Sequence, residues 1–135
     1  KRQNIYRSSG FGGKMNHFID LNSNLSSDNC ISDLATNNNG QLALLNKCNG
    51  RVYLFSQSGK IIRRFNTQLK TPLIILPTNS SWLIVNESGK IQFLEMNPIQ
   101  LLLNTGSIND AIIDNNTLLL LVNSSLIMYE ISDGK

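Results

Sequence analysis

The residue types that most often bind metals or act as nucleophiles are few in this chain and are not grouped by spacing. Among its 135 residues the chain has one His and two Cys, which are His17, Cys30 and Cys48. A structural zinc site needs about four Cys or His ligands, usually in closely spaced pairs. The sequence therefore predicts no metal site and no bound cofactor.

The carboxylates also form no obvious pair of general acid and general base. They are Asp20, Asp28, Asp33, Glu87, Glu95, Asp110, Asp114, Glu130 and Asp133. Most of them fall in predicted turns or at the ends of predicted strands, where solvated carboxylates are common. A Gly13-Lys14 pair invites comparison with a phosphate-binding loop, which needs Gly six residues before the Lys and Ser or Thr after it. Ser8 and Met15 occupy those positions, so we expect a protein without enzymatic activity.

The two cysteines and five glycosylation triplets bear on the cellular compartment. Two Cys do not make a disulfide framework, and we expect both to be small buried hydrophobic residues. Asn-x-Ser or Asn-x-Thr triplets begin at Asn24, Asn79, Asn86, Asn115 and Asn123. A chain so rich in Asn and Ser contains such triplets by chance, and we expect an intracellular location. The longest apolar run, 118–122, is far shorter than the roughly 20 residues that cross a membrane, so we expect no membrane insertion.

Basic side chains are the remaining candidates for binding. The net charge of +3 is too small to predict direct nucleic-acid binding. One basic group lies at the start of the chain, at Lys1, Arg2, Arg7 and Lys14. The second group comprises our candidate partner-binding residues, Lys60, Arg63, Arg64 and Lys70. Such charges either protect an exposed sheet edge from pairing or form a docking surface for an acidic protein.

Short apolar runs separated by turn residues predict consecutive β-strands that position these side chains. After a first candidate strand at 17–21, turns such as Asn39-Gly40 separate strands at 31–36, 41–46, 51–56 and 61–65. The pattern then recurs at 72–76, 81–85, 90–95 and 99–103, and again at 107–113, 117–122 and 126–131. Turns this short join antiparallel neighbours. Residues 1–15 show no such pattern and are predicted to be a linker or basic loop.

The strand groups repeat along the chain. Val52, Ile91 and Ile127 hold one register in our alignment, separated by 39 and then 36 residues. A period near 40 residues with four strands per unit is typical of β-propeller blades, and it favours a propeller over a β-sandwich. We therefore predict an all-β domain over 16–135, in which antiparallel four-stranded meanders form about three blades at about 16–66, 67–104 and 105–135. Three blades do not close a ring, so the segment is expected to be a partial propeller, completed by other sequence or by another chain.

A more specific pattern lies near the middle of the chain. It consists of a strand ending in a Ser-x-Ser-Gly-Lys turn, a Pro-led strand, a Trp-Leu strand and a Gly turn, at 50–60, 72–76, 82–83 and 89–91. This order resembles the C-terminal domain of the HIRA family, the WD-repeat subunits of the HIR histone-chaperone complex. The resemblance implies a nuclear, non-enzymatic scaffold that joins other subunits of a multiprotein complex, including histone-chaperone subunits. It also implies a role in replication-independent nucleosome assembly and in histone gene repression.

Two other functions fit the predicted architecture. One is a propeller segment of a cytoplasmic vesicle-tethering or coat scaffold. The other is a secreted ligand-binding propeller, for which the glycosylation triplets and the two cysteines would matter. We expect blade-top loops and the unpaired ends of the blade stack to provide the binding surfaces.

Overall fold

The computed structural model describes residues 4–8, 15–20, 30–101 and 107–131, and within these ranges the regular secondary structure is β-strand. The first six strands are β1 (Asn4–Ser8), β2 (Met15–Asp20), β3 (Ile31–Thr36), β4 (Leu42–Asn46), β5 (Arg51–Phe55) and β6 (Ile61–Asn66). The next four are β7 (Pro72–Pro77), β8 (Trp82–Asn86), β9 (Lys90–Phe93) and β10 (Ile99–Gln100). The last three are β11 (Ile108–Asp114), β12 (Thr117–Val122) and β13 (Ser125–Glu130). The described ranges contain no helix long and apolar enough to cross a membrane.

The strands form antiparallel sheets in chain order. Strands β3 to β6 make one four-stranded sheet, β7 to β10 make a second, and β11 to β13 make a third of three described strands. This confirms the predicted four-stranded antiparallel meanders. Strands β1 and β2 pair with each other in a separate two-stranded sheet.

The start of the chain differs from the sequence prediction. Residues 1–15, predicted to be a linker or basic loop, include β1, and β2 lies in the range predicted to open the first blade. The first four-stranded sheet begins only at Ile31. Strand formation depends on context more than on local propensity, and here the pairing of β1 with β2 supplies the backbone partners that a local sequence pattern does not reveal.

The turns use residues that accept a positive φ. The hairpin between β11 and β12 and the one between β12 and β13 each have two-residue loops, which begin at Asn115 and Asn123 with φ of 56° and 55°. Asn tolerates this conformation better than most residues with a side chain. Gly50, at φ 68°, closes the longer turn between β4 and β5. A Cβ added to Gly50 would lie 3.1 Å from Thr67 Oγ1, so the absence of a side chain at Gly50 also allows Thr67 to approach the turn closely.

Buried asparagines organise two of these turns. Asn46 ends β4, and its Oδ1 accepts hydrogen bonds from the backbone N–H groups of Cys48 at 2.9 Å and Asn49 at 3.3 Å. Asn86 ends β8, and its Oδ1 accepts from the backbone N–H groups of Ser88 at 3.1 Å and Lys90 at 2.7 Å. Both side chains are buried. Buried polar groups need such partners, so each Asn fixes the path of the chain into the next strand.

Two apolar cores join the three larger sheets. The first core packs the β3–β6 sheet against the β7–β10 sheet and includes Ala43, Leu45, Val52, Leu54, Ile75, Trp82, Ile84 and Leu94. The second packs the β7–β10 sheet against the β11–β13 sheet and includes Leu83, Val85, Ile91, Phe93, Ala111, Leu118, Leu120 and Val122. Each of these cores therefore stacks one sheet on the next. Trp82 is buried in the first core, between the two sheets that this core joins.

The third repeat is shifted by one residue relative to our alignment. Val52 and Ile91 each face the sheet that follows their own, whereas Ile127 packs against the core shared with the preceding sheet. The predicted shared register of Ile127 is therefore wrong. The pair Leu121–Leu126 is equivalent to the pair Leu45–Val52 in the first sheet and to Val85–Ile91 in the second. The turn before β13 is shorter than the equivalent turns before β5 and β9. A shift of one residue moves every side chain of a strand to the opposite face.

The cysteines form a disulfide, which corrects the expectation of two separate buried thiols. Cys30 and Cys48 are bonded, with their Cα atoms 5.6 Å apart. Ile31 pairs with Asn46 across β3 and β4, and the Lys47 N–H donates to the Cys30 carbonyl at 3.1 Å. The hairpin thus brings together two residues that are 18 positions apart, a distance over which spacing alone gives no signal of pairing.

Candidate functional site

The predicted basic group lies around β6 but does not converge on one surface. Arg63 and Arg64 are consecutive in the strand, so their side chains leave on opposite faces of the sheet. Arg63 pairs across the sheet with Leu54 and faces the next sheet, whereas Arg64 pairs with Tyr53. Lys60 precedes the strand and Lys70 follows it by four residues; all four candidates are exposed.

Arg63 already has partners within the chain. Its Nη2 lies 2.6 Å from Glu95 Oε1, and its guanidinium lies 4.2 Å from the centre of the Phe65 ring. Both charged side chains are more than half exposed, so the pair stabilises the fold by at most about 1 kcal/mol. The geometry gives Arg63 a role in bridging two sheets, while Arg64 faces away from that bridge.

The described residues offer no arrangement typical of a metal site. No group of three or more His, Cys, Asp or Glu side chains comes together within them. His17 lies in β2, outside the part of the chain whose side chains are described. Asp33 on β3 is a partly buried carboxylate, and its Oδ2 accepts a hydrogen bond from the Ile75 backbone N–H at 2.9 Å. This bond links the first strands of two neighbouring sheets.

Asp33 lies beside a groove formed by the first strands of the three larger sheets. This groove has a volume of about 330 Å³ and is lined by residues of β3, β7 and β11, including Asp33 and Asp110. Burial raises the pKa of the Asp33 carboxyl from its ordinary 3.8, and the nearby Asp110 raises it further. The backbone N–H groups of Ile75 and Leu34 oppose this shift of the pKa. The carboxyl acts here as a hydrogen-bond acceptor between sheets.

The third sheet has one apolar face that remains exposed. Four side chains form this open face, with relative exposures of 54% at Ile112, 40% at Leu121, 64% at Leu126 and 67% at Met128. Cross-strand pairing places Ile112, Leu119 and Met128 in one row and Asp110, Leu121 and Leu126 in the next. The opposite face of the same sheet packs into the second core. The open face is therefore contiguous and apolar, with Asp110 at one margin and Asp114 and Glu130 at the other.

The sequence did not predict this open face because the register of the third repeat is shifted by one residue. With Ile127 assigned to the face that meets a following sheet, Leu126 and Met128 fell on the other side. The run of five apolar residues at 118–122 was the available signal. A strand with one solvated face alternates apolar and polar residues, whereas a continuous apolar run is typical of a strand that is covered on both faces.

An apolar groove lies beside the same sheet. This end groove has a volume of about 500 Å³ and runs between β10 and β13. Its lining is Ile91, Phe93, Met96, Asn97, Pro98, Ile99, Leu101, Tyr129, Glu130 and Ile131. Met96 and Ile99 are large apolar residues that remain exposed there. The open face and the end groove together make this end of the described structure its most apolar exposed region.

Comparison with known proteins identifies the fold. No protein-family model and no curated protein sequence matches the chain. The solved structure of the computationally designed Ika4 protein matches with a TM-score of 0.63 and 12% identity, over 89% of this chain and 76% of that chain. Virginiamycin B lyase from Staphylococcus aureus matches with a TM-score of 0.64 and 14% identity, over 95% of this chain and 48% of that chain. The designed Ika8 protein matches with a TM-score of 0.62 and 13% identity, over 91% and 42%.

These likenesses, together with the sheet topology, confirm a segment of β-propeller blades. The chain spans about half the length of the lyase that it matches. At such low identity the comparisons bear on the fold alone. The same fold occurs in an enzyme and in designed proteins, so function has to be inferred from the surfaces of this chain.

Proposed function

We propose that this chain is a non-catalytic propeller segment that assembles with further protein through the open face. The observation that carries the proposal is the exposed apolar surface formed by Ile112, Leu121, Leu126 and Met128. The equivalent faces of the first two sheets are buried against a following sheet. A blade that exposes this face lacks the neighbour that repeat architectures use to complete their cores.

The chemistry of the open face indicates what it would contact. Contiguous exposed apolar patches on soluble proteins commonly mark sites of protein–protein contact. The two cores that join the larger sheets show that such a face packs against the apolar side of another antiparallel sheet. The expected neighbour is therefore a β-sheet with an apolar face, from the same polypeptide or from another subunit.

Site-specific photo-crosslinking tests this assignment. A photoreactive amino acid placed at Leu121 or Met128 should crosslink to the neighbouring sheet in protein isolated from its native source. The matched control position is Arg64, which is exposed on the outer strand of a different sheet. Crosslinks from Leu121 and Met128 but not from Arg64 would support the proposal. Crosslinking from Arg64 alone, or equally from all three positions, would overturn it.

The identity of the crosslinked protein tests the finer proposal. The resemblance to the HIRA family leads us to propose that the neighbours are subunits of the HIR histone-chaperone complex and that the segment acts in the nucleus. The turn and strand order at 50–60, 72–76, 82–83 and 89–91 supports this proposal. Vesicle-tethering or coat subunits among the crosslinked proteins would favour the cytoplasmic alternative.

A secreted propeller is the second candidate, and the disulfide favours it. Disulfides persist mainly in oxidising compartments and are rare in the cytosol and nucleus, and Cys30 and Cys48 are bonded here. Three of the five glycosylation triplets begin at exposed turn residues, Asn79, Asn115 and Asn123. Mass measurement before and after glycosidase treatment of protein from its native source tests this candidate. A mass loss would support secretion, and an unglycosylated chain with two free thiols would exclude it.

A further inference from the structure

We propose that the outer edge of β13, together with the end groove, binds an extended polypeptide segment as the fourth strand of the third sheet. This inference deepens the proposed function, on which it rests, because it specifies the class of partner at this end of the segment. The first two sheets each have a fourth strand, β6 and β10. Within the described residues, the third sheet ends at β13.

The hairpin register shows which backbone groups the edge of β13 presents. Residues paired across an antiparallel ladder alternate between hydrogen-bonded and non-hydrogen-bonded pairs. The Ile131 N–H donates to the Asn116 carbonyl at 2.8 Å, which makes the neighbouring pair of Glu130 and Thr117 a non-hydrogen-bonded one. By the same alternation, the N–H and C=O groups of Leu126, Met128 and Glu130 point away from β12. These three residues form a ladder that an added strand can pair with.

The end groove gives the added strand a place for its side chains. Tyr129 and Ile131 line one side of the groove, and Ile99 and Met96 line the other. In the first sheet the outer strand β6 directs Phe65 against the core shared with the next sheet. An added strand beside β13 would direct its alternate side chains into the end groove in the opposite sense, toward β9 and β10. Apolar side chains at alternate positions fit this groove.

Charge indicates the chemistry of the other face of the added strand. Asp114, Thr117 and Glu130 form one cross-strand row on the third sheet, with Glu130 at the outer edge. Asp114 and Glu130 are both exposed. A basic side chain on the added strand, placed opposite Glu130, would form a cross-strand pair of opposite charge. The partner we infer is therefore an extended segment with apolar residues on the face toward the end groove, and with both apolar and basic residues on the face beside Leu126, Met128 and Glu130.

The chain's own outer strand supplies a probe with this chemistry. In an extended peptide of this sequence, Ile61 and Phe65 share one face with Arg63, and Ile62 shares the other face with Arg64. A fluorescently labelled synthetic peptide of residues 59–68 is titrated into the protein, and binding is followed by fluorescence anisotropy. The control peptide has the same sequence with Ile62→Pro and Arg64→Pro, since Pro removes backbone donors and disrupts a strand. We expect saturable binding of the first peptide and at least tenfold weaker binding of the second.

Amide hydrogen exchange, followed residue by residue by NMR, locates the bound peptide. Bound peptide should slow exchange at the amides of Leu126, Met128 and Glu130 at least tenfold and leave those of Ile127 and Tyr129 nearly unchanged. A protein variant with Ile99→Asp, in the end groove, should bind the peptide at least tenfold more weakly. The matched control is Ile62→Asp on β6, which carries a similarly exposed apolar residue and should bind as the unmodified protein does.

The outcomes separate this inference from the proposed function. Absence of binding, or binding that leaves exchange at Leu126, Met128 and Glu130 unchanged, would overturn strand addition even where crosslinks from Leu121 support assembly through the open face. Exchange at these amides that slows with rising protein concentration, without peptide, would show that a second copy occupies the edge and would also overturn it. Equal effects of Ile99→Asp and Ile62→Asp would remove the end groove from the site.

Discussion

Replacing Asn86 with Ala should destabilise the fold more than any exposed Asn substitution, because Asn86 is buried and makes four side-chain hydrogen bonds. Its Oδ1 accepts from the backbone N–H groups of Ser88 and Lys90 and from the Ser88 hydroxyl, while its Nδ2 donates to the Lys70 carbonyl at 3.0 Å. Three of these bonds lie within one turn. The fourth joins that turn to the segment leading into β7.

The magnitude follows from what the variant leaves behind. A typical hydrogen bond contributes about 1 kcal/mol to stability, and a buried group left without a partner costs about 1 to 3 kcal/mol. Water would replace Asn86 as the partner of some of these backbone groups. Any backbone group of the turn that water does not reach would be left without a partner. We therefore expect Asn86→Ala to lower the free energy of unfolding by about 2 to 4 kcal/mol.

Urea denaturation followed by fluorescence provides the measurement. Trp82 is the single tryptophan and is buried between two sheets, so its emission reports loss of the first core. The matched control is Asn38→Ala in an exposed turn, which should change the free energy by less than about 0.5 kcal/mol. A loss below about 1 kcal/mol for Asn86→Ala, or equal losses for both variants, would refute the view that Asn86 organises the turn.

Three further perturbations test other parts of the structure. Replacing Cys30 and Cys48 together with Ala should lower stability by about 3 kcal/mol, the value expected for a loop of this size, and a reducing agent should destabilise the unmodified protein but not the variant. Because burial raises the pKa of Asp33 above 3.8, its contribution to stability is present below that pH and is lost as the pH rises through the folded-state pKa. Asp33→Asn should therefore flatten the pH dependence of the unfolding free energy in that window; an unchanged slope would contradict the assignment. Arg63→Ala should reduce stability by less than about 1 kcal/mol in the same urea assay, and a larger loss would show that its bridge to Glu95 is stronger than an exposed ion pair.

The sequence predicts the strands between 31 and 93 well because local turn chemistry marks their ends. Asn39-Gly40, Asn49-Gly50 and Ser88-Gly89 each close a turn that the structure forms. The ends of the second repeat are less accurate: β9 stops at Phe93 rather than at 95, where Glu95 adopts a φ of 65°. A positive φ is uncommon at residues other than Gly, Asn, Asp and His, so the local pattern gives no sign of it.

The functional surfaces depend on features that span longer distances in sequence. The disulfide needs the β3–β4 hairpin to bring Cys30 to Cys48, and the bridge between Arg63 and Glu95 needs two sheets to be stacked. The basic group looked like one patch because its members are close in sequence, but strand alternation separates Arg63 from Arg64. The open face was not predicted because the turn before β13 is shorter, and the repeat alignment placed Ile127 one residue out of register.

The residues of the open face support the proposal that a further sheet covers it. Leu121 and Leu126 hold the positions that Leu45 and Val52 occupy in the first sheet and Val85 and Ile91 in the second, all of which are buried. Burying a large aliphatic side chain contributes about 1.5 to 3 kcal/mol. While the face is exposed, the fold lacks the several kcal/mol of stability that burying Leu121 and Leu126, with Ile112 and Met128 beside them, would contribute. A solvated face could carry Thr, Lys or Glu at these positions and keep its strands, so the apolar residues are best explained by a further sheet that covers them.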